Sequence, residues 1–278
     1  MAPSIRSLNV AALAFALLAI VSGIAGAAAV PAKAVQDPKT LWRLVMEDYY
    51  GPYDKTLKCW TARIGGDHVC MRPHRLDQVT IRGVSHLFLA IGGSRLGDDG
   101  QPQQAHVDSG MLGLVVLRQD GATFRLAARN DMHTPFGSFG NVPSEEAFAV
   151  REIGPDDAYG WVATDGWMGQ GHVLTSATIF APVGDKVVNI GNIPDHYDNS
   201  GNCDNGKVMG SDVACTDYSS ELIFDSADRS GRFYPIIVKV TGTREGVTID
   251  KAVTKTFDPA TFAYRKIEGL PEEFANGI

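Results

Sequence analysis

The chain has 278 residues, 44% of them apolar and 21% charged, which is the composition of an ordinary globular protein long enough to bury a sizeable core. Its formal net charge is −7, and the first 34 residues hold Arg6 and Lys33 with no acidic side chain, so the remainder is more acidic still. That balance makes nucleic acid and anionic membrane surfaces poor partners.

Residues 1–30 read as a secretory signal peptide. Arg6 stands in a short polar start, VAALAFALLAIVSGIAGAAAV supplies the apolar run, and Ala25, Ala27, Ala29, Ala32 and Ala34 place cleavage between residues 27 and 34. A run so rich in Ala and Gly, ending in AVPAKA, is expected to be cleaved rather than kept as a membrane helix. The mature chain is therefore expected to have no membrane span and to be periplasmic or secreted. All four cysteines, Cys59, Cys70, Cys203 and Cys215, lie beyond this segment. An even count in an oxidising compartment points to disulfides, and Cys59 with Cys70 and Cys203 with Cys215 are the favoured pairs because each closes a short loop. Neither spacing is the C-x2-C of a zinc knuckle.

Residues 35–76 read as a helix followed by a disulfide-bonded entry segment. Asp37 is the expected cap and Pro38 the first helical residue of a helix over 38–50, with Leu41, Leu44, Val45 and Tyr49 on one face. GPYD, IGGD and MRPH then mark turns in an irregular stretch. Residues 77–268 read as an antiparallel β domain, since short apolar or alternating runs from QVTIRGV to FAYRKI recur between Gly, Asp, Asn and Pro clusters with little room for crossover helices. Residues 269–278 form a C-terminal tail. The expected fold is mostly β, an antiparallel β-sandwich or barrel-like meander with one N-terminal helix and two disulfide-stapled loops.

The clearest hairpin is LGLVVLRQDGATFRLAARN. A turn at Asp120-Gly121 sets Gln119 opposite Ala122. Val115, Leu117, Phe124 and Leu126 then form a core face, and Leu112, Leu114, Val116, Arg118, Arg125 and Arg129 a mixed, partly wet one. The same register places Asp108 opposite His133, with His106 and Asp131 two residues away on their own strands. Two imidazoles and two carboxylates in that arrangement would hold zinc or act as general acid and base. This is the basis of an alternative reading as a metal-dependent hydrolase.

Other hydrolase signatures fail. VDSG (107–110) and FDSA (224–227) resemble the paired motifs of aspartic proteases, but the surrounding flap and strand pattern is missing. HVLTSATIF and DNSGNC are similar to the segments around the histidine and serine of chymotrypsin-like proteases, yet no histidine follows LTSA and Asn202 stands where glycine is needed. There is no G-x-S-x-G elbow, H-E-x-x-H helix or phosphate-binding loop.

YGWVATDGWMGQGH (159–172) sets Tyr159 and Trp167 among Asp165, Gln170 and His172, a combination suited to binding sugars or peptides. Trp161 alternates as a core residue, whereas Trp167 falls in the turn. GSFGN (137–141) reads as a glycine loop permitting tight geometry. DHYDNSGNCDNG (195–206) looks like a calcium loop, but neither glycine frame puts oxygen ligands at the required positions or glutamate at the twelfth. An irregular calcium site on Asp195, Asp198 and Asp204 is the remaining metal reading there. The stronger one is mechanical, a surface loop over 193–218 pinned by Cys203 to Cys215. Apart from these zinc and calcium readings no cofactor is expected. The expected function is that of an exported, non-catalytic envelope protein binding a glycan or protein partner through long loops.

Overall fold

A computed structural model describes residues 29–265. The expected signal peptide, apart from its last two residues, and the expected C-terminal tail lie outside the described residues.

The helix α1 (Pro38–Tyr50) starts where local chemistry places it: the Asp37 carboxylate accepts from the Lys39 N–H and the Thr40 hydroxyl, and Pro38 opens the first turn. Gly51 ends it at φ 76°. The deeply buried face is Leu41, Val45, Met46 and Tyr50, with Leu44 and Tyr49 at its margin. The face is thus rotated from the expected one, because the Tyr50 hydroxyl donates to the distant Met132 carbonyl at 2.8 Å.

Thirteen longer strands follow. The first six are β1 (Cys59–Ile64), β2 (Asp67–Ile81), β3 (Val84–Arg95), β4 (Gly110–Asp120), β5 (Thr123–Arg129) and β6 (Thr134–Phe136). The next four are β7 (Phe148–Gly154), β8 (Ala158–Gly169), β9 (His172–Val183) and β10 (Lys186–Asp198). The last three are β11 (Asp217–Phe224), β12 (Ile236–Arg244) and β13 (Val247–Lys255). With shorter segments they make one large sheet that is antiparallel except for a single parallel bridge, Lys186 of β10 with Arg129 of β5. The fold is mostly β with one α-helix, and both expected disulfides are present, Cys59–Cys70 and Cys203–Cys215. Among the described residues no helix is long and apolar enough to cross a membrane.

Much of the stretch read as irregular before residue 76 is strand. Gly65-Gly66 turns β1 into β2, but MRPH lies inside β2, where Pro73 is tolerated because the pairing with β3 shifts between Pro73 and Arg75.

Three apolar layers stack through the molecule. Helix α1 covers one face of β2–β5, packing on Val69, Met71, Leu87, Leu89, Ile91, Val115 and Leu117. The opposite face of β3 and β4, Phe88, Ala90, Leu112, Leu114 and Val116, meets Phe148, Trp161, Ala163 and Phe180 from β7–β9. Ile179, Ala181, Ile190 and Ile193 then pack from the far face of β9 and β10 against Tyr218, Ile236, Val238 and Val240. The face of β4 expected to be partly wet is therefore a buried inter-sheet core at Leu112, Leu114 and Val116, and only its arginines reach solvent. A central strand buried on both faces reads as a continuous apolar run, as GMLGLVVL does.

The β4–β5 turn is Gly121-Ala122, with Asp120 opposite Thr123 and Gln119 opposite Phe124. This differs from the expected pairing by an even step, so Val115, Leu117, Phe124 and Leu126 still share the helix-side core. A bulge between Val116 and Leu117 then moves Arg129 to that side, where its guanidinium lies 5.5 Å from the centre of the Tyr49 ring.

Asn130 ends this pairing. Its Oδ1 accepts from the Leu114 and Met132 N–H groups, and its Nδ2 donates to the Leu112 carbonyl and to Thr134 Oγ1. One amide thus substitutes for a strand neighbour while the chain loops out through Met132 at φ 64° and returns as β6. Asn130→Ala leaves several of these groups without partners and is expected to cost at least about 2 kcal/mol of stability, read as a lower urea midpoint at unchanged m.

Candidate functional site

A concave groove of about 510 Å3 opens where β8–β10 face the segment 134–138, with residues 106–109 crossing its mouth. On β9 the alternation of a strand sends Ser176, Thr178 and Phe180 to the groove and Ala177, Ile179 and Ala181 to the core behind. Two irregularities in the β9–β10 pairing, between Thr175 and Ser176 and between Ile179 and Phe180, re-aim β10 so that Asn192 stands opposite Thr178 and Asn189 opposite Phe180. Phe136 closes the floor, its ring 5.7 Å from that of Phe180. The inner wall is therefore hydroxyls and amides above two aromatic rings.

The mouth is aromatic. Trp167 at the end of β8 lies 6.5 Å, ring to ring, from His106, which meets Phe139 edge-on at 4.6 Å. His106 Nε2 is 2.7 Å from the Met168 carbonyl, an acceptor, so Nε2 carries the proton and Nδ1 is left for another partner. Val107 and Trp167, 87% and 39% exposed, line this mouth, and Phe139, 43% exposed, borders it through its contact with His106.

Asp165 is the one carboxylate lining the groove, and no Lys or Arg lines it. Its two oxygens accept from the Gly137 N–H at 2.9 Å and the Gly166 N–H at 2.7 Å. Gly137 has φ 90°, and a Cβ there would lie 2.1 Å from the Asn141 carbonyl oxygen, so GSFGN is shaped as the glycine loop expected and Asp165 is its tether. Ser176 is 3% exposed, and its Oγ has no partner among the described residues. A buried hydroxyl without a partner carries a desolvation cost. Ser176→Ala is accordingly expected to raise the stability of the unliganded protein by up to about 1 kcal/mol, measured by urea denaturation.

A scan of protein-family models, a search of curated proteins and a search of solved structures found no match to this chain.

Sequence reasoning reached this groove only in part. Of the expected ligand-binding residues, Trp167 and Asp165 line it, Asp165 as a tether for the 137 loop. Tyr159 lies at the other end of β8, opposite Glu152, among the inter-sheet core residues. Gln170 is a turn residue at φ 50° whose carbonyl accepts from Asn202 Nδ2. The Asn202 amide also donates to His172 Nε2, so His172 Nδ1–H donates to the Tyr197 hydroxyl, and this pair ties the stapled loop to the tip of β8–β9.

The expected His and Asp cluster does not assemble. Because β6 pairs Gly110 with Phe136 and Leu112 with Thr134, Asp108 and His133 are not opposite one another. His106 joins the groove mouth, and Asp108 caps its own loop by accepting from the Ala105 N–H. His133 Nδ1 donates to the Asp131 carbonyl, and its Nε2 faces Asp67 at 4.0 Å. The added loop at Asn130–His133 is the cause. Asp195, Asp198 and Asp204 are likewise separate: Asp195 accepts from the Thr175 hydroxyl, Asp198 from Ser200, and Asp204 lies in a small hairpin turned by Asn205-Gly206. Among the described residues no three His, Cys, Asp or Glu side chains form a group that would hold a metal ion. Residues 193–198, expected in the surface loop, belong to β10, and 217 and 218 to β11.

A second cavity of about 720 Å3 adjoins the groove, sharing Thr134, Phe180 and Asn189 with it. It is rimmed by Arg129, Asp131, Asp185 and Lys186, and Tyr49 forms part of its wall. Burial, with Asp48 nearby, pushes the Tyr49 hydroxyl up to about 12, and that hydroxyl has no partner among the described residues.

Proposed function

We propose that this chain is an exported, non-catalytic binding protein that holds a ligand in the groove beside Trp167. The observation that carries this reading is the placement of the exposed Val107 and Trp167, with Phe139 against His106, at one concave opening. Exposed apolar side chains scattered singly need no explanation, whereas a cluster at a concavity is the usual form of a recognition site. The groove's side chains are aromatic rings, hydroxyls and amides, with the His106 imidazole held by the Met168 carbonyl and the Asp165 carboxylate accepting from two backbone N–H groups. The volume lies within the roughly 300–1,000 Å3 of small-molecule sites.

Export is supported by two disulfides, which persist in oxidising compartments, and by the signal-like character of residues 1–30. The metal-dependent hydrolase reading loses its support, because His106, Asp108, Asp131 and His133 make separate local contacts.

Trp167→Ala is expected to weaken ligand capture roughly tenfold by removing the exposed face of the rim. Titration calorimetry of both proteins with envelope glycan fragments and short peptides reads this directly. Binding that is indifferent to Trp167→Ala would place recognition elsewhere on the molecule.

A further inference from the structure

We infer that the ligand of this groove is an uncharged saccharide. The inference rests on the binding reading above and follows from what the wall offers to each class of ligand.

An anionic ligand would find no Lys or Arg in the lining and would face Asp165 directly. A cationic ligand would find a single carboxylate, Asp165, whose two oxygens already accept from the Gly137 and Gly166 N–H groups, and no second acidic side chain beside it among the described residues. A wholly apolar ligand would bury the exposed amides of Asn189 and Asn192 without replacing their hydrogen bonds to water, at a cost for each. An extended peptide gains affinity chiefly by adding a strand to an open sheet edge. Here β9 is paired on both sides, by β8 and by β10, so the backbone behind the groove is already committed.

A neutral sugar meets none of these objections. Its hydroxyls both donate and accept, which suits a wall whose groups do the same. The Ser176 hydroxyl is sealed in the wall without a partner, and a shift of the lining that admits a sugar hydroxyl would satisfy it. Asn189 Oδ1 already accepts from the Gly191 N–H, leaving the amide NH2 to donate to a hydroxyl oxygen. The C–H face of a pyranose ring provides the apolar surface for Trp167, and the protonated Nε2 of His106 holds that imidazole beside the indole by its bond to Met168.

The test uses titration calorimetry of the wild-type protein, Trp167→Ala and Ser176→Ala against three probe sets. These are neutral oligosaccharides of hexoses and N-acetylhexosamines, oligosaccharides bearing uronic acids, and short unstructured peptides. At least one neutral oligosaccharide is expected to bind, with affinity falling roughly tenfold in Trp167→Ala and about fivefold in Ser176→Ala. The urea midpoint of Ser176→Ala, expected at or above that of wild type, separates loss of a ligand contact from loss of fold. Binding of acidic sugars or peptides that depends on Trp167, with none of neutral sugars, overturns the saccharide assignment and leaves the groove as a binding site. Binding of no probe, or binding unaffected by both substitutions, overturns both.

Discussion

Trp161→Ala is expected to destabilise the protein by about 3–5 kcal/mol, the range for deleting a large aromatic ring from a close-packed core. Trp161 is fully buried on β8, directly across from Phe180 of β9, and its ring meets Phe88 of β3 edge-on at 4.9 Å. It therefore fills the space between the two halves of the sheet, where neither half can collapse without disturbing its other face. The same ring lies beside Phe180 on one face of the sheet, and Phe180 forms part of the groove wall, so a cavity at Trp161 also loosens the binding surface. Trp161→Phe is expected to cost much less, because it keeps an aromatic ring and removes an indole N–H that has no partner among the described residues. Urea denaturation followed by circular dichroism ranks the three proteins. Equal midpoints for Trp161→Ala and wild type would contradict the three-layer packing.

Replacing both Cys59 and Cys70 by Ala is expected to cost roughly 3 kcal/mol, the chain-entropy value for closing a loop of this size. The bridge joins β1 to β2, and both cysteines are fully buried beside Leu96 and Leu57. Its loss therefore removes packing as well as a constraint on the unfolded chain. Replacing Cys203 and Cys215 has a different expected signature. That pair lies in a half-buried loop anchored through Asn202 to Gln170 and His172, so its removal should loosen the tip of β8–β9 more than it lowers the global midpoint. Hydrogen exchange of the Gln170 and Gly171 amides separates local from global effects.

Features governed by neighbours in sequence were the legible ones. The Asp37 cap, Pro38 and the spacing of Leu41 and Val45 place the helix where it forms, and the short loops between paired cysteines give the disulfides. The helix-side face of β4 and β5 was legible at Val115, Leu117, Phe124 and Leu126 because strand alternation survives an even shift in register, whereas the face expected to be partly wet is core and the bulge carried Arg129 away from it. Legibility ended where a distant partner decided the outcome. Tyr50 turns inward to reach Met132, and the Asn130 amide ends one strand pairing and shifts the next, which dispersed the His and Asp cluster. The groove is assembled from five separated segments, and bulges in β10 determine which asparagines face it. One local signal was available: Ser176 and Thr178 alternate with Ala177 and Ile179 in a strand apolar at both ends, so two hydroxyls had to lie either in a core or on a buried polar wall.

The most direct test of the groove as a binding site is the indole spectrum of protein labelled with 15N at its four tryptophans, titrated with the neutral oligosaccharide set. Trp167 stands at the mouth, Trp161 lies buried beside Phe180, and Trp42 and Trp60 pack at the margin of the helix-side core. The expected result is a saturable shift of the Trp167 signal with Trp42 and Trp60 unmoved. A saturable shift confined to Trp42 or Trp60, or a Trp167 signal unchanged while calorimetry shows binding, would contradict the account.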